Sequence, residues 1–210
     1  MKYYDKEQKK NIDVGSKFGF SLLDELACVK GWDENSESGI YSNEVKDTRA
    51  ETLVVKSFKG GIIAEGFYKL IKDRVAASGG HFVTNLYIAY KVGDRLALGS
   101  IQFKGAALSA WMDFHKANRS TIYKKAVIID GYSEGKKGKV IYRIPKFELT
   151  EITAESNEAA TQVDKELQEY LKAYFKRTRV EQATPTDNAP PITDDDEARN
   201  LPPEGQEEDW

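Results

Sequence analysis

The chain has one cysteine, Cys28, and two histidines, His81 and His115, among 210 residues. A single thiol excludes a disulfide framework within the chain and any zinc site built on paired cysteines. Set in Leu26-Ala27-Cys28-Val29, it reads as a small buried hydrophobe. The histidines lie far apart without metal-ligand spacing, and neither reads as a catalyst. Gly-x-Ser-x-Gly, the Walker lysine loop and Gly-x-Gly-x-x-Gly are all missing, which removes the usual activated-nucleophile and nucleotide motifs. Carboxylates ahead of residue 178 are scattered, with no Asp-x-Asp pair of the kind that holds magnesium. The expectation is therefore no catalytic residue, no metal and no cofactor. A nuclease assembled from distant carboxylates is the enzymatic alternative, and it predicts metal-dependent turnover of nucleic acid. Met1–Lys10 is charged and lacks the apolar stretch of a secretory signal. No run approaches the roughly 18 apolar residues that span a bilayer, so no membrane association and a reducing, cytoplasmic setting are expected.

Proline is almost absent from the first 180 residues: five of the six (Pro185, Pro190, Pro191, Pro202, Pro203) come after them. The charge divides at the same place. Residues 181–210 hold ten carboxylates and one base, Arg199, a net −9, whereas residues 1–180 carry 30 bases against 24 acids, a net +6. So apolar-poor a segment cannot offset the entropy of ordering, and 178–210 reads as a disordered acidic tail. A basic body joined to an anion-like segment points to a domain that attracts an anion.

Before the tail, Ala154–Arg177 repeats Val163, Leu167, Tyr170, Leu171, Tyr174 and Phe175 at helical spacing, with acids early and bases late. The expected organisation is a nucleic-acid-binding domain over 1–152, a helix over 153–177 and the tail over 178–210. The helix's one apolar stripe is served equally by the body of the domain or by a second subunit, so a homo-oligomer stays open. Strands are expected over 17–31, 39–45, 51–58, 82–92, 95–103, 121–132 and 138–152, punctuated by Gly60-Gly61, Gly79-Gly80, Gly93-Asp94 and Gly135 to Gly138. Short helices are expected over Ile63–Ala77 and Ala106–His115. The fold class is mainly β with short helices (α+β). Strand count and hairpin spacing suit a small β-barrel of the oligonucleotide-binding kind, and a β-sandwich also fits.

Single-strand binders need cations for phosphates and aromatic faces for bases, and three stretches interleave the two. The first runs Tyr123, Lys124, Lys125, Tyr132, Lys136, Lys137, Lys139, Tyr142 and Arg143, with Ser133–Lys139 read as a long basic loop. Alternation makes Val140, Tyr142 and Ile144 a candidate core face, and leaves Tyr142 equally placed inside or out. Tyr123 and Tyr132 are expected exposed. The second stretch holds Tyr87, Lys91, Arg95 and Lys104, with Tyr87 on a solvent or ligand face. The third holds Lys56, Phe58 and Lys59. Trp32 suits base stacking or core closure alike; Trp111 is expected in the core.

Glu207-Glu208-Asp209-Trp210, at the end of an acidic tail behind a basic strand-rich domain, resembles the C-terminal tip of single-stranded DNA-binding proteins of bacteria and, more closely, their phages. It differs from the bacterial form in ending on Trp with no Ile-Pro before it. The resemblance implies a protein that coats single-stranded DNA without sequence preference in phage replication, recombination and repair, in the host cytoplasm. It also implies that Glu207, Glu208, Asp209 and Trp210 recruit replication or recombination proteins. The alternatives are a DNA-mimicking or host-interaction protein acting through its tail, and a virion assembly protein. On the DNA-binding reading, the −9 segment competes for the +6 body. Deleting residues 181–210 then raises affinity for a labelled oligonucleotide, most at low salt, where the Debye length is about 30 Å. Trp210→Ala removes no charge, so it leaves that affinity unchanged while abolishing capture of the partner enzyme; titration of both variants over a salt series checks this.

Overall fold

A computed structural model describes residues 2–5, 10–13, 15 and 17–183. The elements run β1 (Lys2–Asp5), β2 (Lys10–Asp13), β3 (Lys17–Asp33), β4 (Ser38–Ser42), β5 (Leu53–Ser57), β6 (Gly61–Gly66), α1 (Tyr68–Ala77), β7 (Gly80–Val92), β8 (Arg95–Lys104), α2 (Gly105–Ala117), β9 (Ala126–Lys137), β10 (Val140–Thr150) and α3 (Ala154–Ala183). The mainly β, α+β class is as expected. The barrel is not: the larger sheet runs β10-β9-β3-β4-β5-β6, with β7 on β3 and β8 on β7. Among the described residues no pairing joins its ends, so the sheet stays open. Among the described residues β1 and β2 pair only with each other.

The described residues form two compact units that interleave along the sequence: those up to Glu25 with Thr84–Leu171, and Leu26–Val83 with the end of α3 from Lys172. In the first unit, β9 pairs with the start of β3 from Lys17↔Asp130 to Ser21↔Ala126. Alternation on β3 buries Phe20 and Leu22. Helix α2 adds Trp111, 1% exposed, whose ring meets Phe147 edge-on at 5.2 Å and Phe103 at 5.8 Å. Its indole N–H donates to Glu25 Oε1 at 2.5 Å, meeting the need of a buried tryptophan for a polar partner. Burial raises the Glu25 carboxyl above its ordinary range, opposed by His115, whose Nε2 lies 3.7 Å from Oε2, and by the indole.

In the second unit, Val29, Ile40, Val45, Leu53, Val55, Ala64, Ile71 and Val75 form one cluster between the β3–β6 sheet and α1. Cys28 is fully buried, and burial pushes its thiol up to about 12. Asp33, at the end of β3, is also buried. Its Oδ2 accepts from Ser36 Oγ at 2.6 Å and its Oδ1 from the Asn35 amide at 3.1 Å. Ser36 Oγ lies 2.9 Å from Ser38 Oγ and 3.2 Å from Ser57 Oγ. Those two hydroxyls accept from the Lys59 and Gly60 amides at 3.1 and 3.0 Å. A chain of donors thus runs from the β5–β6 turn to a carboxylate at the β3–β4 turn.

Several boundaries differ from those read in the sequence. Ile63–Gly66 is strand, not helix, because it pairs with β5. Residues 121–125 turn instead of extending, and β9 starts at Ala126. Helix α3 reaches Ala183, so Thr178–Ala183 continues it where the tail was expected; no Pro or Gly intervenes before Pro185, and Thr178 Oγ1 back-bonds to Tyr174 O at 3.0 Å. Ala160, Leu167 and Leu171 of α3 are buried within the single chain, while Tyr170 of the expected stripe is exposed. Thr153 caps the helix, accepting from the Ser156 amide at 3.2 Å. The remaining tail residues, 184–210, lie outside the described residues, and with them Glu207, Glu208, Asp209 and Trp210.

Hydrogen bonding, first from Ser36, holds the Asp33 carboxyl below its ordinary value. A carboxyl depressed in the folded state adds stability that is complete above its unfolded pKa and disappears as pH falls through the folded one. Asp33→Asn should therefore lower stability at neutral pH and shrink the loss of stability below about pH 4, measured as denaturation midpoints across a pH series.

Candidate nucleic-acid interface

In the second unit the register places Lys30 opposite Tyr41 and Tyr41 opposite Lys56, in one row across β3, β4 and β5. Directly paired residues share a face, so Tyr41 stands between two lysines. Two residues further along β3, Trp32 joins the same face opposite Gly39. The Phe58 amide donates to Gly39 O at 3.1 Å, and the Phe58 ring stacks on Tyr41 with centroids 4.6 Å apart and planes at 30°. The opposite face of these strands carries Val29, Ile40 and Val55 into the core. Trp32, Tyr41, Phe58, Lys30 and Lys56 are all half-buried. Lys59 is exposed in the turn after β5. Sequence reading found Lys56 and Lys59 and weighed Trp32. It missed Lys30 and Tyr41, which join the site only through pairing across strands.

In the first unit, β9 and β10 pair from Ala126↔Thr150 to Lys137↔Val140. The glycine-lysine stretch is therefore not a long loop, and only Gly138-Lys139 turns. Gly138 has φ +61 and Lys139 no positive φ, as in a type II′ hairpin. Beyond Asp130 the pair outruns β3, whose ladder starts at Lys17. The register shifts between Pro145 and Phe147, opposite Gly131 at φ +74. Such a bulge bends a ribbon and is one of the few places a strand tolerates proline. Residues 132–143 thus form an arm of two strands. One face carries Tyr132, Glu134, Lys136, Ile141 and Arg143, with the guanidinium 4.3 Å above the Tyr132 ring. The other carries Lys137, Val140 and Tyr142, whose ring lies over Gly135. Val140 and Tyr142 are exposed, so the face expected as core is open to solvent; past the end of β3 none of the described residues covers it. Lys136, Lys137, Lys139, Arg143 and Tyr132 are all exposed.

The other expected residues do not join either group. Tyr87 is half-buried, and Asn85 and Ala89, which share its face of β7, are buried; that face is covered, not the solvent face expected. Lys91 and Arg95 flank the Gly93-Asp94 turn, and Lys104 ends β8, all three exposed. Lys91 also lines an open groove of about 410 Å³ with Lys17, Phe18 and Tyr90, where Lys17 is already held by Asp130 at 3.0 Å. Lys124 is exposed in the turn before β9, and Lys125 pairs with Glu151. Tyr123 is exposed as expected, but its phenol, pushed up to about 12 by burial and then by Glu25 and Asp24, stands beside two carboxylates. That setting repels phosphate.

Comparison with known protein families, characterised proteins and solved structures gives no match. The chemistry of the two surfaces therefore stands on its own geometry. Half-open rings between lysines offer stacking faces beside cations, the pairing that single strands require. Trp111 is buried and Trp32 is half-open, so their fluorescence separates the cases. Oligo-dT should quench the emission of a chain lacking residues 181–210, and Trp32→Phe in that background should abolish the quench.

Proposed function

We propose that this protein binds single-stranded DNA without sequence preference and catalyses no reaction. The observation that carries the proposal is the cross-strand row Lys30–Tyr41–Lys56, with Phe58 stacked on Tyr41 and Trp32 beside it. Every base has a π-face, so three rings on one sheet accept any sequence, each stacked base contributing about 1–3 kcal/mol. The lysines flank the rings where the phosphates of a strand crossing the sheet would pass, and each phosphate neutralised releases counterions. Closure into a barrel is not needed for this role, because the stacking surface is one face of three paired strands. The acidic segment from residue 181 competes with DNA for the basic surfaces, and Glu207, Glu208, Asp209 and Trp210 dock on replication or recombination enzymes. In this role the protein protects single strands and delivers enzymes to them.

Anisotropy titrations with oligo-dT and with a duplex of the same length, over a salt series, test the proposal. The expected result is tighter binding to the single strand, with log affinity falling linearly in log salt. Lys30→Glu with Lys56→Glu should weaken oligo-dT binding at least about tenfold, equivalent to about 1.4 kcal/mol, and flatten the salt slope. Equal competition by duplex, or a slope unchanged by charge reversal, would refute it.

A further inference from the structure

The arm is built differently from the sheet face, and the difference has a use. A single strand lies on a platform backed by a core. Among the described residues nothing backs the arm: both faces are open, and from Tyr132↔Pro145 to Lys137↔Val140 it extends six residue pairs, roughly 20 Å at strand rise. A two-stranded ribbon is the right width for the groove of duplex DNA. Its charge suits that partner: residues 132–143 carry Lys136, Lys137, Lys139 and Arg143 against Glu134 alone, a net +3.

The tip adds a second feature that phosphate binding does not explain. Its outermost pairs are Lys137↔Val140 and Lys136↔Ile141, so each face ends in one aliphatic side chain with a lysine directly across. Val140 is 56% and Ile141 64% exposed. Aliphatic groups gain nothing from phosphates or water, but they do gain between bases, where an inserted apolar wedge unstacks a step that flanking cations hold in place. A step at the end of a duplex is the least costly to open, since it is stacked on one side only. We infer that the β9–β10 arm engages the junction between single- and double-stranded DNA, with Val140 and Ile141 as a wedge that opens the first base pair. This rests on the nucleic-acid reading above but uses a different surface, the arm instead of the Trp32–Tyr41–Phe58 face.

The test uses the full chain and a duplex with an oligo-dT overhang, carrying 2-aminopurine at the first paired position. Binding should brighten the 2-aminopurine, and Val140→Ser with Ile141→Ser should abolish the brightening while oligo-dT affinity is unchanged. Val140→Leu with Ile141→Leu should restore it, and Lys136→Glu with Lys137→Glu should weaken junction binding more than oligo-dT binding. Brightening that survives the serine variant would overturn the wedge, as would a wild-type chain that binds oligo-dT without brightening. A serine variant that instead dissociates an oligomer in sedimentation would also overturn it, since the tip would then be seated on a second copy. Junction opening without oligo-dT binding would support the arm and refute the sheet platform.

Discussion

A carboxylate taken out of water must have its oxygens met by donors, and at Asp33 those donors belong to two different turns. Ser36 and the Asn35 amide come from the β3–β4 turn; Ser57, and through it Gly60, come from the end of β5. Each hydroxyl accepts from a backbone amide or another hydroxyl while it donates onward, and such chains polarise one another. The consequence is registration. Strands β3, β4 and β5 are locked at one end, and a slip of one residue would send every side chain to the opposite face. Tyr41 stands between Lys30 and Lys56, with Val29, Ile40 and Val55 on the core side, only in the register that this network holds.

The two basic surfaces solve different problems with the same ladder geometry. On the sheet, pairing across three strands gathers rings and lysines separated by up to 26 positions into one row, and the core behind them keeps the rings at fixed spacing. On the arm, the ladder continues after its neighbour has ended, so nothing is buried and charge stays in water on both faces. The bulge at Gly131 and Pro145 marks the change. Tyr142 over Gly135 and Arg143 over Tyr132 then stiffen a ribbon that has no core.

Much of this was legible in the sequence wherever the signal was local. Gly93-Asp94 marks its hairpin, Cys28 in its apolar run is buried, and Trp111 on an apolar helical face is core. Gly135 was misleading because a glycine in a strand looks like a turn until the ring covering it, Tyr142, is seen across the ladder. Tyr87 was misread because alternation assigns a face but not what lies over it. The open sheet was hidden because closure depends on pairing between distant strands, which periodicity does not encode. For the same reason half the platform was found and half was not: Lys56, Phe58 and Lys59 are neighbours in the chain, while Lys30 and Tyr41 reach them only through register.

Bases stacking on one face of β3, β4 and β5 would lie against Trp32, Tyr41 and Phe58. Ultraviolet cross-linking of oligo-dT to the full chain, followed by peptide mass spectrometry, tests this most directly, because cross-links form only where a base touches a side chain. Adducts at Trp32, Tyr41 or Phe58 are the predicted result. Adducts confined to other residues, with those three rings unmodified, would contradict it.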